Sequence, residues 1–144
     1  MKHAALILLL LAGCASGMQD DPNAPNVVLH VAQFESQPDA YLFGGSVNVR
    51  FAVSAANRTT EPVTLSRIEI RTVGSGAYTI RPTSTPINIK LAPGQEATVP
   101  ISLWGFARGG YASAREPVTL RATAFMTGPT GAFVRLFTEY IPQQ

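Results

Sequence analysis

The chain reads as an all-β protein, an antiparallel β-sandwich of seven or eight strands, and three observations carry that expectation. Apolar and polar residues alternate with a period of two, most cleanly over Ser46–Ala55, where Val47, Val49, Phe51, Val53 and Ala55 share one face and Asn48, Arg50 and Ser54 the other. Gly, Pro, Asn and Asp punctuate the chain between runs of strand length. From Val27 onward, no apolar pattern keeps a helical period for more than a turn or two.

Ahead of the strands the chain has another character. Lys2 precedes an apolar run from Ala4 to Ala12, far shorter than the roughly 20 residues needed to cross a bilayer as a helix, so residues 1–13 read as an export signal that is removed. Leu11-Ala12-Gly13-Cys14 resembles the lipobox of bacterial lipoproteins. That resemblance implies that Cys14 accepts a diacylglyceryl group, becomes the mature N-terminus and holds the protein on a membrane. The alternative is an ordinary secretory signal with a chance cysteine, but Cys14 is the only cysteine and has no partner for an internal disulfide. At about 0.8 kcal/mol per buried CH₂, the two or three acyl chains expected would anchor it lastingly. Ala15, where an acidic residue would signal retention in the inner membrane, favours the outer membrane by the same resemblance. Residues 14–26, ending in Asp-Pro-Asn-Ala-Pro-Asn, then form a flexible tether.

Residues 27–144 are the sandwich domain, and each strand has its own warrant. Val27–Phe34 is the first strand and Ser46–Ala55 the second. Val63–Val73 is a long third, whose inward set passes from Val63 and Leu65 to Ile68 and Ile70; the odd spacing predicts a bulge at Ser66-Arg67. Tyr78–Arg81 and Ile87–Leu91 flank Pro82 and Pro86 and read as one bent strand. Ala92-Pro93-Gly94-Gln95 has Pro and Gly at the centre of a type II turn. The next strand turns Val99, Ile101 and Leu103 inward; Pro100 cannot donate to a ladder, which puts that strand at an edge or gives it a bulge. Val118–Met126 and Ala132–Ile141 close the domain as a hairpin across Gly128-Pro129-Thr130-Gly131.

Short, turn-bounded strands in this number match an immunoglobulin-like sandwich better than a closed barrel or a propeller. Leu91–Val99, a leucine and Pro-Gly followed by an alternating strand, resembles the signature of bacterial immunoglobulin-like and fibronectin-like modules, and Asn57–Ile70 is similar to LEA14-type sandwich domains. These resemblances imply a fold and no activity. Glu61-Pro62-Val63-Thr64-Leu65 is echoed by Glu116-Pro117-Val118-Thr119-Leu120, a repeated way of entering a strand with proline where its missing N–H costs little.

Composition excludes several functions. Without its first 13 residues the chain keeps 131, one domain's worth, and loses Lys2, leaving ten basic and nine acidic side chains; that balance argues against nucleic acid. Charged residues make up 14% of the chain against about 25% in ordinary domains, with Thr, Ser and Ala in their place. No Cys or His pair has ligand spacing and no Asp-rich loop resembles a calcium site, so neither a metal nor another cofactor is expected. His30 is the one histidine of the mature chain, with no nucleophile-elbow motif to serve. A hydrolase using His30 would need it within reach of a serine or carboxylate in a cleft. Glu35, Asp39, Glu61 and Glu116 read as solvated acids rather than a glycosidase pair. Asn57-Arg58-Thr59 matches a glycosylation acceptor by accident in a bacterial chain.

What remains is aromatic. Tyr41 and Phe43, with Gly44-Gly45, and Trp104, Phe106, Arg108 and Tyr111, with their glycines, combine rings, arginine and adaptable backbone in expected loops. In a seven-strand sandwich those loops share the end opposite the tether, provided residues 78–91 make a single passage. The expectation is a non-enzymatic, membrane-anchored module that binds an envelope protein or assists assembly through Tyr41, Phe43, Trp104, Phe106, Arg108 and Tyr111. The alternatives are a carbohydrate-binding or adhesion module, recognisable by a ring platform beside polar groups, and rings that merely plug the sandwich end. The first strand lacks the protection Pro100 gives its own strand, so it is open to pairing with a partner or a second copy.

Overall fold

The computed structural model describes residues 23–35 and 37–143, so the expected export signal, Cys14 and most of the expected tether lie outside the described residues. Eight strands form two four-stranded antiparallel sheets: β1 (Val27–Gln33), β2 (Gly45–Asn57), β6 (Glu96–Ala107) and β4 (Tyr78–Thr79) in one, and β5 (Thr83–Leu91), β3 (Val63–Val73), β7 (Val118–Gly128) and β8 (Gly131–Ile141) in the other, each in that order. Two short helices, α1 (Pro38–Leu42) and α2 (Tyr111–Ala114), sit in the connections. None of the helices described is long and apolar enough to cross a membrane, which says nothing about spanning by strands.

The alternation of β2 is obeyed: Val47, Val49, Phe51, Val53 and Ala55 are buried against Leu65, Ile68, Ile70, Leu120 and Met126 of the facing sheet. At about 25 cal/mol per Å² of apolar surface, burial of this kind is the main term holding the sheets together. The third strand has the expected ends, and its register shifts between Leu65 and Arg67, where Ser66 is the extra residue against β7. Gln95 donates its N–H to Ala92 O at 3.0 Å and Gly94 takes φ of 74°, closing the expected turn. Pro100 lies opposite Ala52 of β2, and β4 pairs with β6 only at Ala107 and Phe106, so β6 is an edge at Pro100. Hairpin β7–β8 closes through Gly128 opposite Gly131.

Two expectations need correction. Residues 78–91 are not one strand: Tyr78–Thr79 pairs with β6, and Thr83–Leu91 pairs with β3 in the opposite sheet. Both pieces nevertheless run antiparallel to their partners in a single descent from the far end, so the chain direction expected of one strand is kept. Nor is the first strand undefended. Glu139 of β8 accepts the Val31 N–H at 3.2 Å, occupying the middle of the β1 edge.

The entry end, where β1 begins, is organised by Asn57. This fully buried side chain donates to Glu61 O (2.7 Å) and Leu91 O (3.0 Å) and accepts from the Thr59 N–H (3.0 Å) and Oγ1 (2.7 Å). All four of its hydrogen-bonding positions are used, which binds the β2–β3 loop to the end of β5. A side chain so placed presents no amide nitrogen for glycosylation.

Candidate functional site

At the far end the two connections meet. The Gly110 N–H donates to Leu42 O at 2.9 Å, and α1 packs on α2. A Cβ on Gly109, whose φ is 80°, would come within 3.2 Å of the Gly44 backbone, so the two loops touch main chain to main chain because both carry glycine there.

The rings at this end fall into two groups. Tyr41 is 2% exposed, whereas Phe43 is 90%, Tyr111 72%, Trp104 69% and Phe106 58% exposed. Tyr41 therefore leaves the candidate surface: α1 turns it inward, its ring centroid 5.2 Å from that of Tyr78. Gln33 links the two phenols, donating Nε2–H to Tyr41 Oη at 3.0 Å and accepting from Tyr78 Oη at 2.7 Å and from Gln143 Nε2 at 3.2 Å. Burial raises the Tyr41 pKa, with hydrogen bonds to Gln33 and the Gln37 backbone opposing it; burial and then the neighbouring Tyr41 raise that of Tyr78 further. These tyrosines are the plug, and the other four rings are not.

Trp104 and Phe106 are not on a loop. They lie on the outer face of β6, which continues inward through the small residues Gly105 and Ala107. Gly105 is small for a reason: a Cβ there would meet Thr79 O at 2.9 Å, so glycine lets β4 cross close to β6. Trp104 stands opposite Asn48 and Phe106 opposite Ser46, while Thr79 pairs with Phe106 on the other flank. Ser46, Thr79, Arg81, Thr83, Trp104 and Phe106 line one shallow groove. Sequence reasoning missed Asn48, Thr79 and Arg81 because only strand pairing brings them to the rings.

Tyr111 opens α2 with Arg115 over its ring at 5.5 Å, and Phe43 follows α1. Arg108 is held by Glu116 at 3.1 Å, so its charge is already answered within the chain.

His30 has the carboxylate that catalysis would ask for. Its Nδ1 is 2.6 Å from Glu139 Oε1, and Ser54 stands directly opposite across β1–β2. The Ser54 hydroxyl bonds Thr98 Oγ1 at 2.8 Å, and Glu139 also takes the Val31 N–H. The row lies on an outer sheet face with the His30 side chain 60% exposed, a geometry that clips β8 to the β1 edge. Among the described residues no group of three His, Cys, Asp or Glu could hold a metal, and no buried side-chain polar atom lacks a partner.

No protein-family model and no curated protein matches the chain. It is similar in fold to solved structures: target SoR45 of the Northeast Structural Genomics Consortium, at 10% identity and TM-score 0.54, with 81% of this chain and 85% of that one covered. A second is a protein from Archaeoglobus fulgidus, at 9% identity and TM-score 0.50, with 78% and 91% covered. At such identities the likeness is one of fold, and the chain is a two-sheet β-sandwich of the kind those proteins share.

Proposed function

We propose that this chain is a non-enzymatic bacterial lipoprotein, held through lipid on Cys14 at the outer membrane, whose sandwich presents its far end to an envelope protein. The immunoglobulin-like assignment is supported by strand order, with β1-β2-β6-β4 facing β5-β3-β7-β8 and every connection from the one after β2 to the one after β6 crossing between sheets. The observation that carries the functional reading is the exposure of Phe43 and Tyr111 on two glycine-locked loops at the end opposite the one where the chain arrives from Cys14. Large rings on a rigid frame bind with little loss of conformational freedom, and that end of the molecule is the one free to meet another protein.

The test is co-purification from native membranes after mild cross-linking, comparing wild type with Phe43→Ala/Tyr111→Ala. Loss of one specific protein from the variant alone supports the reading; identical captures, or none, sink it. Cys14→Ser should move the protein from the membrane to the soluble fraction, and retention on the membrane would refute the anchor.

A further inference from the structure

The outer face of β6 differs from the tip in what surrounds its rings. Trp104 and Phe106 are two residues apart on one strand face, roughly 7 Å along the sheet, and both are exposed. Polar side chains flank them on both sides, Asn48 and Ser46 on β2 and Thr79 and Arg81 on the other. The Thr83 hydroxyl donates to Arg81 O at 2.8 Å, which steadies the backbone that carries the guanidinium.

Charge completes the pattern. Arg50, further down this face, is answered by Glu35 at 3.0 Å, whereas none of the ion pairs among the described residues includes Arg81 and no carboxylate lines the groove. The groove thus offers two exposed rings, hydroxyl groups and one positive charge that none of these ion pairs answers, with the Asn48 amide opposite Trp104.

We propose that this groove is a binding site for an acidic saccharide. A sugar ring presents a face of C–H bonds with partial positive charge, which suits the negative face of an indole or phenyl ring. Its hydroxyls radiate from the rim, where Asn48, Ser46 and Thr79 can both donate and accept. A carboxylate or phosphate on the sugar meets Arg81 in the bidentate geometry a guanidinium favours. A protein hot spot would instead sit in a well-packed pocket emptied of water, and this groove is shallow with both of its rings exposed. The groove lies on the outer face of the sheet next to the far-end loops, is lined by neither Phe43 nor Tyr111, and needs no protein partner.

Trp104 is the only tryptophan, so its fluorescence reports on this groove alone. The intact lipidated protein in detergent micelles is applied to immobilised oligogalacturonate, sialyllactose and mannose phosphate, with maltohexaose and N-acetylglucosamine oligomers as neutral counterparts, and bound sugars are titrated by tryptophan fluorescence. Retention of an acidic sugar, with a change in emission on titration, is expected. Trp104→Ala should weaken it about tenfold or more, as loss of a central ring does, and Arg81→Gln should erase the preference for acidic over neutral sugars. Phe43→Ala/Tyr111→Ala should bind the sugar unchanged. Retention of none of these sugars, equal retention by folded Trp104→Ala, or a preference indifferent to Arg81→Gln would each overturn the proposal without touching the protein-binding reading. Capture of a protein through Trp104 and Arg81 with no sugar bound would overturn it as well.

Discussion

The two ends of the sandwich are closed in different ways. At the entry end one buried amide, Asn57, ties the β2–β3 loop to the end of β5 through four hydrogen bonds and is itself wholly enclosed. At the far end the closure is shared among Gln33, Tyr41, Tyr78 and Gln143, and outside that layer Phe43 and Tyr111 are left in water. The first arrangement stabilises and displays nothing. The second separates a structural layer of phenols from a displayed layer of rings, so residues of the same chemical kind a few positions apart do different work.

The comparison is most exposed to attack at Asn57. Asn57→Ala deletes all four bonds and leaves buried main-chain groups unpaired, so stability measured by urea unfolding should fall by about 3 kcal/mol. A loss under about 1 kcal/mol would mean that the loops hold themselves. Tyr78→Phe removes one donor to Gln33 while Gln143 remains on the same oxygen, and a smaller loss of about 1 kcal/mol is expected.

Alkali probes the same phenol layer. Both tyrosine pKa values are raised in the fold, so above pH about 10 the unfolded chain releases protons that the folded chain keeps. Their contribution is therefore complete below pH about 10 and lost as pH rises from there through the raised values. The melting temperature should fall along that limb, and Tyr78→Phe should flatten it; an equally steep limb in the variant would move the cause elsewhere.

The smallest effect is assigned to the displayed rings. Phe43→Ala and Trp104→Ala should each change stability by no more than about 0.5 kcal/mol, since neither side chain is packed in the core. A loss of about 2 kcal/mol at either would return that ring to the plug.

Local chemistry explains which features were legible in advance. The bulge at Ser66, the turn at Pro93-Gly94 and the edge at Pro100 each follow from a few adjacent residues: a break in alternation, a demand for positive φ, a missing N–H. From the sequence alone Trp104 falls on a loop, because the large inward residues end at Leu103. The strand in fact goes on, its inward positions filled by Gly105 and Ala107 because β4 crosses there. The same parity of small residues was the available signal. Tyr41 was equally hard to place, since whether a ring beside a turn packs inward depends on the tyrosine it meets, Tyr78, far along the chain.

By itself, then, the amino-acid sequence determined the all-β class, most of the strands and the inward faces of β2, β3 and the first part of β6, because alternation and turn chemistry act over a few residues. Tertiary structure alone decided that Tyr78–Thr79 and Thr83–Leu91 part to opposite sheets, that Glu139 covers the β1 edge, and that Arg81 and Asn48 flank Trp104. Those contacts join residues distant in sequence, and they form only when burial of the shared core brings both sheets together.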